Sequence, residues 1–216
     1  MDIEKGSLYV ITDPKAQRGR SHLEVLTEAI RGGASMVQLR DKEADDGALI
    51  EAGKALRKIC DQYHALFIVN DRMEVARTVG ADGLHIGQDD ISIAEARRRI
   101  GPEKLLGVST HSLDQARRAA QEGADYIGLG PIFQTPTKPD YPPVGLELIR
   151  QVRKHLSIPL VAIGGIDALN IQTVMASGSD AVAVVRSVVA QDDIQTAAKT
   201  LCSLITSWKE GGKNKT

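Results

Sequence analysis

The sequence predicts an α/β protein folded as a single-domain (β/α)8 barrel. Short apolar runs alternate with amphipathic stretches along all 216 residues, a small-residue signature recurs, and no linker interrupts the pattern. Strands that alternate with helices form parallel sheets, and parallel strands are buried on both faces. A chain of this length suffices for one such barrel.

Eight runs are predicted as strands because they are short, nearly continuous and apolar, as doubly buried strands require. In chain order, the predicted strands are Leu8–Thr12, Met36–Leu39, Leu66–Val69, Gly83–Gly87, Leu105–Val108, Tyr126–Leu129, Leu160–Ile163 and Ala181–Val185.

The stretches between the strands are predicted as helices. Leu23, Leu26 and Ile30, for example, recur at the spacing that places apolar side chains on one helical face. Residues with short polar side chains, which favour the N-cap position, precede these stretches. The predicted N-caps are Ser21, Asp46, Ser92, Ser112 and Asp167.

A glycine followed by two small residues ends four of the helical stretches. Glycine adopts the left-handed conformation that stops a helix, so the recurrence predicts a repeated helix–turn–strand plan. The copies are Gly33-Ala34-Ser35, Gly80-Ala81-Asp82, Gly123-Ala124-Asp125 and Gly178-Ser179-Asp180. No Gly-x-Gly-x-x-Gly motif follows the first strand, so an open doubly wound sheet is only the alternative. The barrel is predicted over residues 1–210, with a disordered tail at 211–216.

Composition excludes several classes of function. The net charge of −1 gives no general attraction to nucleic acid or to a membrane, and 3% aromatic residues are too few for base-stacking platforms. No apolar run reaches the ~18 residues of a membrane span, and no signal core begins the chain. Cys60 and Cys202 lack metal-binding spacing and are expected to be free thiols. We therefore expect a cytoplasmic protein.

Polar clusters follow directly after several predicted strands. In a parallel barrel the carboxyl ends of the strands meet at one mouth, so these clusters should converge there. Three basic and two acidic side chains among them predict a site for pyrophosphate and a magnesium ion. The clusters are Gln38-Leu39-Arg40-Asp41-Lys42, Asn70-Asp71, Asp89-Asp90, Ser109 and Thr135-Pro136-Thr137-Lys138.

The acidic candidates are Asp71 and Asp90, which follow neighbouring strands. Mg²⁺ accepts one or two protein carboxylates and completes its octahedron with phosphate oxygens and water. Each residue also has a purely structural interpretation, because aspartate is a common N-cap. Asp89 is an alternative ligand or cap.

The basic candidates lie on two loops. Arg40 and Lys42 are two residues apart in extended chain and point the same way, although they could simply be solvated charges beside Asp41 or Glu43. Lys138 lies in a proline-rich loop that could be either a phosphate-binding loop or a merely stiffened one.

Backbone groups provide further candidates. Loops after the last two strands of such barrels often bind phosphate, and here they contain Gly164-Gly165 and Val185-Arg186. Glycine allows close approach of the backbone, although a simple turn is the structural alternative. His85 is interpreted as a core histidine, and His111 lies near the mouth beside Ser109.

The sequence resembles thiamine-phosphate synthases over nearly the whole chain. The resemblance rests on the motifs above and on four further segments: the run from Gly80 to Asp90, Gly107-Val108-Ser109, Gly128-Leu129-Gly130-Pro131 and Ala162-Ile163-Gly164-Gly165-Ile166. The resemblance implies a TIM barrel and a transferase of thiamine biosynthesis. Its substrates would be a pyrimidine diphosphate and a thiazole phosphate, and its products thiamine phosphate and pyrophosphate.

The resemblance also implies roles for individual residues. Asp71 and Asp90 would hold one Mg²⁺, bound together with the substrate pyrophosphate. The implied catalytic residues are Arg40, Lys42, Asn70, Ser109 and Lys138. The implied substrate-binding residues are Gln38, Leu39, Asp41, Thr135, Pro136, Thr137, Gly165, Val185 and Arg186. Arg186 departs from the family, which often has serine at this position.

Three rival functions remain on the sequence alone: a thiazole tautomerase of the same fold, a sugar-phosphate isomerase or epimerase, and a non-catalytic regulatory barrel. A tautomerase would not need the paired carboxylates, and paired carboxylates beside a basic cluster fit a sugar-phosphate isomerase or epimerase less well. A regulatory barrel should tolerate loss of the charged residues at the mouth. The expected partners are the two small-molecule substrates, with no nucleic acid or membrane. Self-association into a homo-oligomer is left open.

Overall fold

The computed structural model, which describes residues 3–139 and 141–213, is a closed barrel of eight parallel strands. Each strand pairs with the next along the chain, and the first pairs with the last through Ser7 opposite Ala181 and Val10 opposite Val184. This closure confirms the (β/α)8 barrel and rules out the open doubly wound alternative.

The strands match the predicted runs within one or two residues. They are β1 (Ser7–Ile11), β2 (Met36–Leu39), β3 (Leu66–Asn70), β4 (Gly83–Ile86), β5 (Leu105–Thr110), β6 (Tyr126–Leu129), β7 (Leu160–Ile163) and β8 (Ala181–Val184). The helices are α1 (His22–Arg31), α2 (Asp46–Tyr63), α3 (Met73–Thr78), α4 (Ile93–Ile100), α5 (Leu113–Gln121), α6 (Gly145–His155), α7 (Ile171–Ala176), α8 (Arg186–Val189) and α9 (Ile194–Lys213).

Alternation along the strands divides the core into two layers. Leu8 and Val10 of β1 point outward and pack with the helices in the larger apolar layer. Tyr9 and Ile11 point into the barrel, where they pack with inward residues such as Met36. The interior is therefore filled with side chains rather than open, which leaves the site at the mouth.

The recurring small-residue signature ends its helices as predicted. Gly33, Gly80, Gly123 and Gly178 all have positive φ angles, between 65° and 110°. A residue with a Cβ would be strained in this conformation. These glycines therefore fix the turn from each helix into the next strand.

The aspartate in three copies of the signature has a role that the sequence did not reveal. Asp82 accepts a hydrogen bond from the backbone N–H of Phe67 at 2.7 Å and pairs with Arg57 at 2.8 Å. Asp125 accepts from Leu106 and pairs with Arg97 in the same way. Each aspartate thus joins a helix to the start of the preceding strand, at the barrel end opposite the mouth.

The third clamp repeats the arrangement with Asp180, which accepts from the N–H of Leu160 at 2.8 Å and pairs with Arg153. The arginine also donates to the carbonyl oxygen of the signature glycine, Gly178, at 2.8 Å. We call these three Arg–Asp pairs the base clamps. They tie helices α2, α4 and α6 to the amino-terminal end of the barrel.

Two N-cap predictions are wrong. Asp45, not Asp46, caps α2 through a bond from the N–H of Ala48, and Asn170 rather than Asp167 occupies the cap position of α7. Asp167 instead accepts from the N–H of Leu169 within the preceding turn. In both places neighbouring polar residues compete for the cap, and sequence cannot rank them. Ser21, Ser92 and Ser112 cap their helices as predicted.

The predicted boundary of the tail also changes. Helix α9 continues to Lys213, so residues 211–213, predicted as disordered, belong to the helix, and 214–216 lie outside the described residues. Each of the two glycines there lowers the stability of the helix by only about 1 kcal/mol, so the long preceding helix continues through them. Both cysteines are free, as expected. No described helix is long and apolar enough to cross a membrane.

The base clamps lead to a prediction about stability. Replacing Asp82 with alanine should lower the free energy of unfolding by about 2–3 kcal/mol, because Phe67 N–H and Arg57 both lose a charged partner. Asp61→Ala is a matched control, since Asp61 pairs with the same arginine but its side chain is 66% exposed. The control should cost less than about 1 kcal/mol. Equal losses for the two variants in urea denaturation would contradict the clamp interpretation.

Candidate active site

The mouth of the barrel contains two adjoining cavities. The larger, of about 640 Å³, reaches from the loops after β6, β7 and β8 down to inward-facing strand residues. The smaller, of about 270 Å³, lies among charged residues of the loops after β2, β4 and β6. The residues that line both include Ser109, His111 and Lys138. A ligand with an uncharged ring and an anionic group could therefore occupy the two cavities together.

Asp71 lies beside Asp90, which lines the smaller cavity. Burial, and then the hydrogen bond and negative charge of Asp90, raise the pKa of Asp71, whereas Lys42 at 3.6 Å opposes this rise. Asp71 has a φ of +56°, a left-handed conformation uncommon for residues other than glycine. Two crowded carboxylates and a strained backbone are typical of a site arranged for a ligand.

Asp90, rather than Asp89, is the partner of Asp71. Asp90 also accepts a bond from the N–H of Gly87 at 2.6 Å, which fixes its carboxylate over the end of β4. Asp89 and Asp90 are both exposed, and Ser92 takes the capping position of α4. Neither aspartate is therefore the cap of that helix.

Lys42 and Lys138 approach the two carboxylates, and Arg40 lies close enough to Lys138 to influence its charge. Desolvation, and then the positive charges of Arg40 and Lys42, lower the pKa of Lys138, while Asp71 and Asp90 act in the opposite direction. Within the described residues Arg40 forms no ion pair. Three cations thus lie around the pair of carboxylates, an arrangement suited to a polyanion bound together with a divalent cation.

The strand ends place the side chains that surround these charges. Thr12, which is fully buried, accepts a hydrogen bond from the N–H of Arg40 at 2.7 Å and donates to its carbonyl oxygen at 2.9 Å. Asn70 is the last residue of β3 and lines the larger cavity. Ser109 lies within β5, where the strand extends beyond its predicted end.

The proline-rich loop after β6 lies over the mouth. Thr135, Pro136 and Thr137 line the larger cavity. Tyr141 packs against His111 with ring centroids 4.9 Å apart, and the ammonium of Lys138 is 5.2 Å from the Tyr141 ring centroid. His111 donates through Nδ1 to the carbonyl oxygen of Gly130, so its ring is fixed in place. The loop is thus attached to the barrel through an aromatic contact.

Gly164 and Gly165 allow the loops after β6 and β7 to pack together. A Cβ on Gly165 would lie 2.7 Å from the carbonyl oxygen of Gln134, and both glycines have positive φ angles. The backbone of Val185 and Arg186 lines the same end of the larger cavity, while Arg186 itself is exposed. Ser187, also in this wall, has a buried hydroxyl without a partner among the described residues.

Two predicted substrate-binding residues use their side chains elsewhere. Leu39 is 1% exposed and packs in the apolar layer under the helices. Asp41 accepts from the N–H groups of Glu43 and Ala44 and contacts His22 at 3.2 Å. The alternation of the strand explains both placements, because neighbours of Gln38 and Arg40 must point away from them. A role of these two residues in substrate binding stays a prediction.

A polar chain inside the barrel was not recognised from the sequence. Gln38 contacts Tyr9 at 2.5 Å, Tyr9 contacts Tyr126 at 3.3 Å, Tyr126 contacts His85 at 3.1 Å, and His85 contacts Ser109 at 2.9 Å. All five residues line the larger cavity. The tyrosines look like ordinary strand residues in sequence, so only the inward register of their strands could have indicated the contact.

The carboxylate pair fits a hard divalent cation. In the part of the chain that the structure describes, no group of three or more His, Cys, Asp or Glu side chains is suited to a metal. Magnesium commonly uses one or two protein carboxylates and takes its other ligands from phosphate and water. The crowding that raises the pKa of Asp71 is also what a bound cation would relieve.

Known proteins resemble this chain over nearly its whole length. Residues 8–188 match the family model described as "Thiamine monophosphate synthase". A thiamine-phosphate synthase of Chloroflexus aurantiacus is 51% identical over 94% of each chain, and one of Methanocella arvoryzae is 45% identical over 95% of this chain and 98% of its own. The structure of thiamine phosphate pyrophosphorylase from Pyrococcus furiosus superposes with a TM-score of 0.87 at 38% identity, covering 94% of this chain and 96% of the other. The chain belongs to the thiamine monophosphate synthase family.

Proposed function

We propose that this chain joins 4-amino-2-methyl-5-(diphosphooxymethyl)pyrimidine to 4-methyl-5-(2-phosphoethyl)thiazole, releasing thiamine phosphate and pyrophosphate. Family membership supports the reaction class. The observation that carries the proposal is the meeting of Asp71, Asp90, Lys42 and Lys138 beside a cavity large enough for a substituted ring. A rim charged in this way suits the departure of a diphosphate.

In this proposal the diphosphate occupies the smaller cavity. Arg40, Lys42 and Lys138 stabilise the negative charge that develops as the bond to the pyrimidine methylene breaks. Asn70 contributes an amide donor from the end of β3. The ammonium of Lys138 is partly desolvated, which lowers its pKa, and this strengthens its action on a leaving group.

The pyrimidine occupies the larger cavity, between Gln38 and Ser109. Its amino group delocalises the positive charge left on the ring when pyrophosphate departs. The thiazole nitrogen then attacks the exocyclic carbon, so that the reaction has dissociative character. No side chain is required to activate this nitrogen, because its lone pair is already free.

The thiazole phosphate lies at the far wall of the larger cavity. Thr135, Thr137 and the backbone of Gly165 and Val185 supply donors there. The unpaired hydroxyl of Ser187 adds another. Fixing the thiazole by its phosphate holds the reacting nitrogen near the pyrimidine, which replaces a bimolecular encounter with a positioned one.

Asp71 and Asp90 would hold a Mg²⁺ ion. When bound, such an ion supplies positive charge to the leaving pyrophosphate. The two carboxylates position that charge next to Lys42 and Lys138.

The first test is incubation of the purified chain with both precursors, singly and together, with and without Mg²⁺. Pyrophosphate release should require both precursors and should be abolished by EDTA. Conversion of a thiazole phosphate alone would instead indicate a tautomerase. Absence of any turnover with both precursors and Mg²⁺ would rule out the proposed function.

Lys138→Ala should lower the single-turnover rate at least ~10-fold, because a charge that stabilises the departing diphosphate is lost. Lys54→Ala is the control, since Lys54 pairs with Glu51 on the outer face of α2. Its rate should match wild type. A wild-type single-turnover rate in the Lys138 variant would remove this residue from the mechanism.

Asp90→Asn should raise the Mg²⁺ concentration needed for half-maximal activity at least ~10-fold, because one charged oxygen ligand becomes neutral. Asp89→Asn changes the exposed neighbour by the same substitution and should leave the Mg²⁺ dependence unchanged. The opposite ranking of the two variants would make Asp89 the ligand.

A further inference from the structure

We propose that Tyr9, Tyr126 and His85 are positioning residues for the pyrimidine: their buried hydrogen-bond chain holds Gln38 as an acceptor and Ser109 as a donor toward the larger cavity. The inference rests on the proposed function, which places an aminopyrimidine between those two residues. It goes further by assigning a role to three residues that touch neither the diphosphate nor the thiazole in that arrangement.

The direction of the chain follows from its first bond. The Gln38 amide nitrogen donates to the Tyr9 hydroxyl at 2.5 Å. Among the described residues, Tyr126 is the only acceptor in contact with the Tyr9 hydroxyl, so the Tyr9 proton is donated to Tyr126. The single proton of Tyr126 is then directed to Nδ1 of His85. A neutral imidazole that accepts at Nδ1 has its proton on Nε2, which donates to Ser109.

The two ends of the chain therefore have opposite characters. Gln38 is 2% exposed and lines the cavity, and no described residue donates to its amide oxygen, which leaves an acceptor for a ligand. The Ser109 hydroxyl accepts from His85, so its own proton is free to be donated. An aminopyrimidine presents an amine as donor and ring nitrogens as acceptors, and this matches the pair.

Burial keeps the chain uncharged. Burial raises the pKa values of Tyr9 and Tyr126 above the ordinary tyrosine value. Burial, and then the charge of Lys138, lower the pKa of His85 to about 4. Both ring nitrogens of His85 are engaged, Nδ1 by the Tyr126 hydroxyl and Nε2 by Ser109, so the ring is held as a fixed donor to Ser109.

The backbone around the chain leaves room for it. A Cβ on Gly107 of β5 would collide with the ring and hydroxyl of Tyr126 and with Nδ1 of His85. A Cβ on Gly128 of β6 would lie 3.1 Å from Cε1 of His85. Two inward-facing glycines thus leave space that apolar side chains fill elsewhere in the barrel. This favours a backbone that accommodates the hydrogen-bond chain over an incidental contact among its side chains.

Tyr9→Phe tests the chain, because it removes one hydroxyl and keeps the ring packing. The value of kcat/KM for the pyrimidine diphosphate should fall about 10-fold, the effect of one oriented hydrogen bond, while KM for the thiazole phosphate changes less than about two-fold. Ser179→Ala removes a buried hydroxyl at the opposite end of the barrel. This control should lower Tm without changing either constant.

A second measurement does not depend on turnover. In the ¹⁵N-histidine-labelled full chain, NMR should show His85 neutral with its proton on Nε2, its signals assigned by their loss in His85→Asn. Tyr9→Phe should give a mixture of the two tautomers, because Tyr126 then has no donor to fix its direction.

The outcomes separate this inference from the proposed function. A wild-type chain that is inactive with both precursors would reject the function, and the His85 tautomer would still decide the direction of the chain. A wild-type His85 with its proton on Nδ1 would overturn the assigned direction. An active enzyme whose Tyr9→Phe variant keeps wild-type kcat/KM would overturn the positioning role.

Discussion

Parallel pairing of β1 with β8 is the contact on which the site depends. It closes the sheet, and only a closed sheet brings the loops after β2, β3, β4 and β6 around one opening. Asp71 and Lys138 are far apart in sequence, yet the charge of Asp71 raises the pKa of Lys138 and so opposes the effect of desolvation. The arrangement of charged side chains at the rim therefore depends on the backbone hydrogen bonds between β1 and β8.

The barrel and most of its rim could be predicted because their signals are local. Doubly buried strands leave nearly continuous apolar runs, and the polar residue after each run marks the mouth. The base clamps were not predicted because each joins an arginine to an aspartate 25 to 28 residues later. Such a separation matches neither the helical nor the strand periodicity of the sequence. The tyrosines of the interior chain, 117 residues apart, were missed for the same reason.

The motif around Gln38 was interpreted as a unit, but its side chains point in different directions. Gln38 and Arg40 line the larger cavity, but Leu39 packs outward and the Asp41 side chain stabilises its own loop. Adjacent residues in extended chain face opposite ways, so a contiguous motif contains both ligand-facing and structural positions. The N-caps of α2 and α7 were predicted wrongly for a different reason. Several polar residues near each helix start suit the cap position, and tertiary packing decides among them.

The base clamps have a consequence for how this architecture can change. They fasten three helices to the amino-terminal end of the strands, and none of their residues lines either cavity. The residues that anchor the helices thus lie at one end of the barrel, and the residues of the proposed reaction lie at the other. Loops from a distant homologue could replace those at the mouth while the base clamps stay unchanged. The chain is therefore a suitable scaffold for engineering a different substrate specificity.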